Sequence, residues 1–167
     1  LRVASGELAG TGTVTLDGQP IQHISLEQRA RQMAFLTQQL ALDFPFKGHE
    51  VMQMGRIPHL TGTRHDRQVL QEVIDVCSLQ DLTARTYTTL SGGEKQRIQI
   101  GRVLCQVWDQ LANAYILFDE PTSALDLSHQ LMFFELLGRL SDNGAAIALV
   151  VHDINLAVRF SDQVVLM

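Results

Sequence analysis

Short apolar runs of strand length recur along this chain, separated by segments of helical periodicity. Met33–Leu36, Ala114–Phe118 and Ala145–Val151 are such runs, and a further strand is predicted to start at Val164–Leu166. Apolar runs of this length are typical of strands that are buried on both faces. Strands that alternate with helices predict a mostly parallel sheet. The predicted fold class is therefore α/β.

The segments between these runs predict the helices. Apolar residues recur at helical spacing after Glu94 and from Leu127 to Leu140. The same spacing from Glu50 to Leu82, interrupted by turn residues, indicates a helical insertion. Ser25 starts a capping-box pattern that predicts a short helix to about Arg31, and Asp153 can cap another helix.

A smaller unit precedes the first apolar run. Thr13–Leu16 alternates polar and apolar residues and is followed by Asp17-Gly18, a turn pair typical of hairpins. The sequence therefore predicts a small antiparallel strand pair beside the parallel sheet.

Composition limits the classes of partner. The 167 residues are 46% hydrophobic, which suits one domain with a buried core. The formal net charge of -5 provides no basic field, so no nucleic-acid partner is expected. The apolar runs are too short for a membrane-spanning helix, which needs about 20 apolar residues. Cys77 and Cys105 lack C-x-x-C spacing and are expected to be core thiols.

Ser91-Gly92-Gly93-Glu94 permits two interpretations. Ser-x-x-Glu is a capping box, so these residues can simply start a helix. Paired glycines at the positive end of a helix also present backbone N–H groups to an anion, and the Ser91 hydroxyl adds a donor. These four residues alone leave both a simple cap and a phosphate-contacting turn open.

Asp119 and Glu120 lie where an apolar strand ends. Ligands of open parallel sheets gather at the carboxyl ends of the strands. Alternate side chains of a strand point to opposite faces, so the two carboxylates need not share a role. Without the residues that follow, a turn with solvated acids is an equally good interpretation.

His152 and Gln38 also follow predicted strands. An imidazole at the strand end can reach a phosphate or an attacking water at the same sheet edge. A structural histidine and an exposed loop amide are the respective alternatives, and Gln39 offers a competing amide beside Gln38.

Longer stretches resemble a known family. Leu90–Arg97 resembles the signature motif of the ATP-binding-cassette (ABC) ATPases, and Tyr115–Asp126 resembles their Walker B strand and D-loop, in the family's order. The resemblance covers essentially the whole chain. It implies a single partial domain, residues 1–167, with a P-loop NTPase-like core. A helical subdomain is expected at approximately 48–90, and the signature, Walker B, D-loop and switch-histidine region at 90–167.

The resemblance also implies roles for the strand-end residues. Asp119 would hold Mg²⁺, Glu120 would polarise the water that attacks the γ-phosphate of ATP, and His152 resembles the switch histidine. Gln38 resembles the Q-loop glutamine, which joins the magnesium site to a transmembrane partner.

Other implied roles belong to a dimer. In the family, two copies associate head to tail, and each ATP lies between one copy's phosphate loop and the other's signature turn. Ser91, Gly92 and Gly93 would therefore contact the nucleotide of a second copy. Asp126 would link the two sites at the interface.

One family motif does not occur. The 167 residues contain no G-x-x-x-x-G-K-[ST] phosphate loop. Leu1–Gly6 resembles the helix after the Walker A lysine, so the phosphate loop is expected upstream, and the fragment is expected to be inactive without it. A non-catalytic ABC-like domain is the alternative.

The subfamily is indicated by three further segments. Leu42–Phe46, Val51–Arg56 and the extended Cys105–Asn113 resemble those of heme-importer ATPases. Iron-siderophore and cobalamin importers are the alternatives. The implied partners are permease subunits and, indirectly, a periplasmic or extracellular substrate-binding protein. The implied location is the cytoplasmic face of the inner membrane. The single cassette and acidic balance disfavour a soluble ABC ATPase of DNA repair or translation.

Overall fold

Three parallel strands form the main sheet. A computed structural model of the chain describes residues 1, 3, 5, 6, 8, 10–37, 42–59 and 61–166. The strands of this part are β1 (Thr15–Leu16), β2 (Gln19–Pro20), β3 (Met33–Leu36), β4 (Tyr115–Asp119) and β5 (Ala146–Val150). The order β3-β4-β5 is parallel throughout, and β1 pairs with β2 in antiparallel fashion. The α/β class, the parallel sheet and the small strand pair are therefore confirmed.

Helices fill the connections between the strands, as predicted. They are α1 (Leu26–Gln32), α2 (Gly48–Gln53), α3 (Thr63–Val76), α4 (Gln80–Thr83), α5 (Gly92–Val107), α6 (Leu127–Asp142) and α7 (Ile154–Phe160). Helices α2 to α4 form the predicted insertion. Among the described residues, no helix has the length and apolar character needed to cross a membrane.

The core lies between the sheet and helices α5 and α6. Ile98, Val103 and Leu104 of α5 are completely buried. On β4, the buried Phe118 ring meets Phe133 of α6 edge-on, with 5.3 Å between ring centroids. Such aromatic pairs stabilise the fold by about 0.5–1.5 kcal/mol beyond the stabilisation from their buried area. Both β4 and α6 are thereby fixed against each other.

Two expectations about the end of the sheet are wrong. Strand β5 is exposed or half-buried along its length, although its apolar sequence predicts a buried strand. Its partner is β4 on one edge, and no strand of the described residues pairs with its other edge. Val164–Leu166 forms no strand, and Val165 and Leu166 are 79% and 78% exposed. A strand needs a neighbour for its backbone groups, and this part of the chain provides none there.

The helical insertion is attached to the rest of the fold through a buried arginine. Arg56, 3% exposed, donates to Asp66 Oδ1 (2.9 Å) and Asp109 Oδ2 (2.6 Å). It also donates to the backbone oxygen of Cys105 at 2.8 Å. Burial alone would raise the pKa of Asp109, but hydrogen bonds from Arg56 and His65 outweigh it and lower that pKa. Arg56, Asp66 and Asp109 form what we call the Arg56 cluster.

We predict that Arg56→Ala lowers the free energy of unfolding by about 3 kcal/mol, because the half-buried carboxylates of the Arg56 cluster then lose the buried guanidinium that they share. Urea unfolding measures the change. The matched control is Arg64→Ala, since Arg64 is exposed in the same insertion and should change stability by less than about 0.5 kcal/mol. Equal effects of the two substitutions would contradict the anchoring role of Arg56.

Candidate functional site

The ends of β4 and β5 bring Asp119, Glu120 and His152 to one edge of the sheet. Asp119 is paired in register with Val150, and the Glu120 N–H donates to the Val150 oxygen at 3.2 Å. This bond extends the ladder by one residue. The chain then turns sharply, because Glu120 adopts a φ of 50°. Non-glycine residues are uncommon in this left-handed region, and strained conformations of this kind cluster at functional sites.

Glu120 and His152 are in direct contact. His152 Nε2 lies 2.8 Å from Glu120 Oε1. The two atoms are within ion-pair distance, so a carboxylate oxygen and an imidazole nitrogen meet directly at this edge. The Glu120 side chain is 20% exposed and the His152 side chain 80% exposed. The pair therefore forms a polar site that is open to solvent on the histidine side.

Asp119 is half-buried beside this pair. Within the described residues, its carboxylate makes no hydrogen bond or ion pair that would occupy its oxygens. Mg²⁺ is usually bound through one or two carboxylates together with phosphate oxygens and water, so a single available carboxylate fits this ion. The described residues contain no group of three or more metal-ligating side chains. Gln38, the other predicted metal ligand, lies outside the described residues.

The signature turn is a complete capping box, as predicted. The Ser91 Oγ accepts from the Glu94 N–H at 3.3 Å, and the Ser91 N–H donates to Glu94 Oε2 at 2.7 Å. Arg85 of the insertion also pairs with the Glu94 carboxylate. Ser91 and Gly92 are exposed. Capping uses a lone pair of the Ser91 hydroxyl and leaves its hydrogen available for an anion.

The two signature glycines differ in what requires them. A Cβ on Gly93 would lie 2.7 Å from the Ala124 carbonyl oxygen, so only glycine allows this close packing. A Cβ on Gly92 would meet only the Ala124 methyl, at an ordinary 3.7 Å. Gly93 is therefore required by packing within the chain. Gly92 is free to serve an external contact through its exposed backbone.

The segment after Glu120 is fixed by local hydrogen bonds. The Ser123 hydroxyl donates to the Glu120 oxygen at 3.0 Å, and the Leu125 N–H donates to the Thr122 oxygen at 3.0 Å. Asp126 starts α6, where its Oδ1 accepts from the His129 N–H at 2.9 Å. This hydrogen bond and the His129 side chain lower the pKa of Asp126. Asp126 is therefore a charged cap on the surface.

Three residues that support the site were not predicted from the sequence, namely Arg85, His129 and Gln130. The Gln130 side chain donates to the Thr122 and Leu125 backbone oxygens, before the start of α6. Arg85 contacts Glu94 across nine positions of sequence, and no local motif indicates that pairing. His129 follows Asp126 at the spacing of a helix cap, which is the one signal that the sequence offered.

The fold and the site define an ABC cassette, and comparison with known proteins agrees. The family model for the ABC transporter matches residues 1–123. The chain belongs to the ABC transporter family.

Solved structures support the same assignment. A metal-chelate type ABC transporter in an inward-facing conformation is 31% identical, with a TM-score of 0.68 over 88% of this chain and 59% of that chain. A dimeric bacterial ABC transporter cassette is 25% identical, with a TM-score of 0.80 over 96% of this chain and 71% of that chain. The same cassette bound to ADP and Pi gives a TM-score of 0.78. The predicted fold is confirmed.

Curated relatives carry a more specific name. The hemin import ATP-binding protein HmuV of Pseudomonas putida is 43% identical over 168 residues, covering 100% of this chain and 66% of the relative. The protein of the same name from Pseudomonas fluorescens is 42% identical over 98% of this chain and 64% of the relative. The predicted similarity to heme-importer ATPases is confirmed. The chain spans less than two thirds of the length of these relatives.

We predict a pH-dependent contribution from Glu94. The Ser91 backbone N–H, with help from Arg85, lowers the pKa of Glu94 from 4.5 to about 2. The ionised Glu94 carboxylate therefore stabilises the folded state fully above pH 4.5, and this stabilisation is lost as the pH falls through about 2. Glu94→Gln should lower the denaturant midpoint near neutral pH, and the difference from wild type should shrink towards about pH 2.

The control for this prediction is Glu135→Gln. The Glu135 carboxylate lies exposed on α6 and makes no hydrogen bond to another described residue. Its substitution should change the denaturant midpoint near neutral pH less than Glu94→Gln does. A difference between Glu94→Gln and wild type that stays constant from neutral pH to about pH 2 would contradict the assigned hydrogen bonds.

Proposed function

We propose that the complete protein containing this chain binds and hydrolyses ATP as the ATPase subunit of an ABC importer. The contact of 2.8 Å between Glu120 and His152 is the observation that carries this proposal. It places a carboxylate and an imidazole beside Asp119 at a sheet edge where nucleotides bind in parallel folds. The alternative is a non-catalytic ABC-like domain, in which this pair would have no γ-phosphate to serve.

Glu120 acts as the base in this mechanism. The His152 imidazole, 2.8 Å from Oε1, holds the carboxylate at this sheet edge, and the carboxylate accepts the proton of the attacking water. The chain turns at Glu120, with its φ of 50°, directly after the end of β4. Asp119 holds Mg²⁺, which when bound neutralises charge on the phosphates. Gln38 is proposed as a further magnesium contact and as the link to the permease.

A second copy completes the site. Ser91 and Gly92 are exposed, and the N-terminus of α5 carries partial positive charge, which suits a phosphate. We assign Ser91, Gly92 and Gly93 to the nucleotide of the other copy in a head-to-tail dimer. Asp126 is exposed and follows Ala124, on which Gly93 packs, and we assign it to the contact with the other copy.

The phosphate loop is assigned to a strand outside these residues. The 167 residues contain no such loop, and the outer edge of β5 has no neighbour among the described strands. A strand inserted along that edge would pair with the backbone groups of β5 that have no neighbouring strand among the described residues. The greater length of the curated relatives allows for this strand.

The proposed cargo is heme. Curated relatives at 43% and 42% identity are hemin import ATP-binding proteins, which favours hemin over an iron siderophore or cobalamin. The proposed partners are permease subunits and, through them, a periplasmic or extracellular substrate-binding protein. The protein then lies peripherally on the cytoplasmic face of the inner membrane.

We predict that Glu120→Gln in the complete protein retains ATP binding and lowers hydrolysis by at least about 100-fold, because the amide cannot accept the proton of the attacking water. Phosphate release and equilibrium ATP binding are the measurements. Glu135→Gln, a matched exposed substitution, should leave turnover unchanged. Near-normal turnover of Glu120→Gln would remove Glu120 from the role of base.

A cargo test separates the importer classes. The complete protein, its permease and its substrate-binding protein are reconstituted in vesicles, and phosphate release is measured with hemin, a ferric siderophore or cobalamin. We expect stimulation by hemin alone. Stimulation by one of the other cargoes would reassign the transporter within the group, and an ATP-binding protein without any turnover would favour the non-catalytic alternative.

A further inference from the structure

The first turn of α6 makes side-chain contacts that go beyond an ordinary helix cap. We call residues Thr122–Asp126 the 122–126 turn. Gln130 Nε2 donates to the Thr122 oxygen at 3.3 Å and to the Leu125 oxygen at 3.0 Å. His129 Nδ1 lies 3.0 and 2.9 Å from the two oxygens of Asp126. Gln130 thus holds the backbone of the 122–126 turn, and its neighbour His129 holds the Asp126 carboxylate at the end of that turn.

Capping alone does not require the imidazole contact. The His129 backbone N–H already satisfies the cap through Asp126 Oδ1. The Asp126 side chain is 67% exposed and would otherwise sample several rotamers. Contact of the imidazole with both carboxylate oxygens restricts it to one orientation on the surface.

The other side of the 122–126 turn is held by the signature motif. A Cβ on Gly93 would lie 2.7 Å from the Ala124 oxygen, so the backbone of α5 is in direct contact with the turn. Helix α6 holds the turn through side-chain hydrogen bonds, and helix α5 holds it through the close packing of Gly93 on Ala124. The positions of Asp126 and of the exposed Ser91-Gly92 backbone are therefore fixed relative to each other.

We propose that His129 and Gln130 are positioning residues for the ATP site that a second copy completes, because they hold the 122–126 turn in the arrangement that the partner meets. This inference rests on the proposed function. Neither residue touches substrate. Both act on the geometry with which Asp126 and the signature turn are presented together.

The first test is amide hydrogen exchange of the complete protein, which does not depend on ATPase activity. His129→Ala and Gln130→Ala should accelerate exchange in residues 121–127 and leave the core of β4 unchanged. His129→Asn, whose amide N–H can replace the imidazole donor, should restore protection. Ser128→Ala is the control, since Ser128 is exposed on the same turn of α6.

The second test is steady-state hydrolysis. His129→Ala should lower kcat about tenfold and change the KM for ATP by less than about twofold, because the misplaced turn matters only in the closed dimer. Ser128→Ala and His129→Asn should resemble wild type. His129 lies partly on the surface, so its variants test the inference even if Gln130→Ala fails to fold.

The outcomes separate the inference from the proposed function. An active wild type whose His129→Ala variant matches Ser128→Ala in both exchange and kcat would overturn the inference. Equal loss of kcat in His129→Asn and His129→Ala would also overturn it, because restored geometry would then have no effect. If wild type is inactive but the variants show the expected exchange pattern, the proposed ATPase activity is overturned. The role of His129 and Gln130 in ordering the 122–126 turn is then still supported.

Discussion

The parallel pairing of β4 with β5 is the constraint on which the site depends. Because Asp119 pairs with Val150, the chain leaves both strands at the same edge, and the Glu120 carboxylate lies 2.8 Å from the His152 imidazole. A slip of one residue in either strand would move its side chains to the opposite face and separate the pair. Packing of the buried Phe118 ring against α6 holds β4 in this register.

Helix α5 connects that edge to the helical insertion. At its N-terminus, Gly93 packs on Ala124, and Glu94 pairs with Arg85 of the insertion. Near its C-terminus, the Cys105 oxygen accepts from Arg56, which belongs to the insertion as well. The insertion is therefore attached to both ends of the helix that carries the signature turn. A permease that contacts the insertion would act directly on this helix, as the proposed coupling of hydrolysis to transport requires.

Local patterns predicted the parts of the fold that local forces determine. The apolar runs became β3, β4 and β5, and Ser25, Ser91 and Asp153 became helix caps. The sheet edge shared by Glu120 and His152 also follows from parallel topology. The contact between Arg56 and Asp109 spans 53 positions of sequence, and such long-range pairs leave no periodic signal. The exposure of β5 and the absence of a strand at Val164–Leu166 depend on what pairs with the sheet, which hydropathy does not encode. Gln38 lies outside the described residues, so its role stays a prediction.

In the proposed mechanism, one chain serves two nucleotides, one through its sheet edge and the other through its signature turn. The most direct measurement is an experimental structure of the complete Glu120→Gln protein with ATP and Mg²⁺. We predict a head-to-tail dimer in which each γ-phosphate lies within hydrogen-bonding distance of residue 120 and His152 of one copy and of Ser91 of the other. A nucleotide contacted by residue 120 and Ser91 of the same copy, or a signature turn that faces solvent in the ATP-bound state, would contradict it.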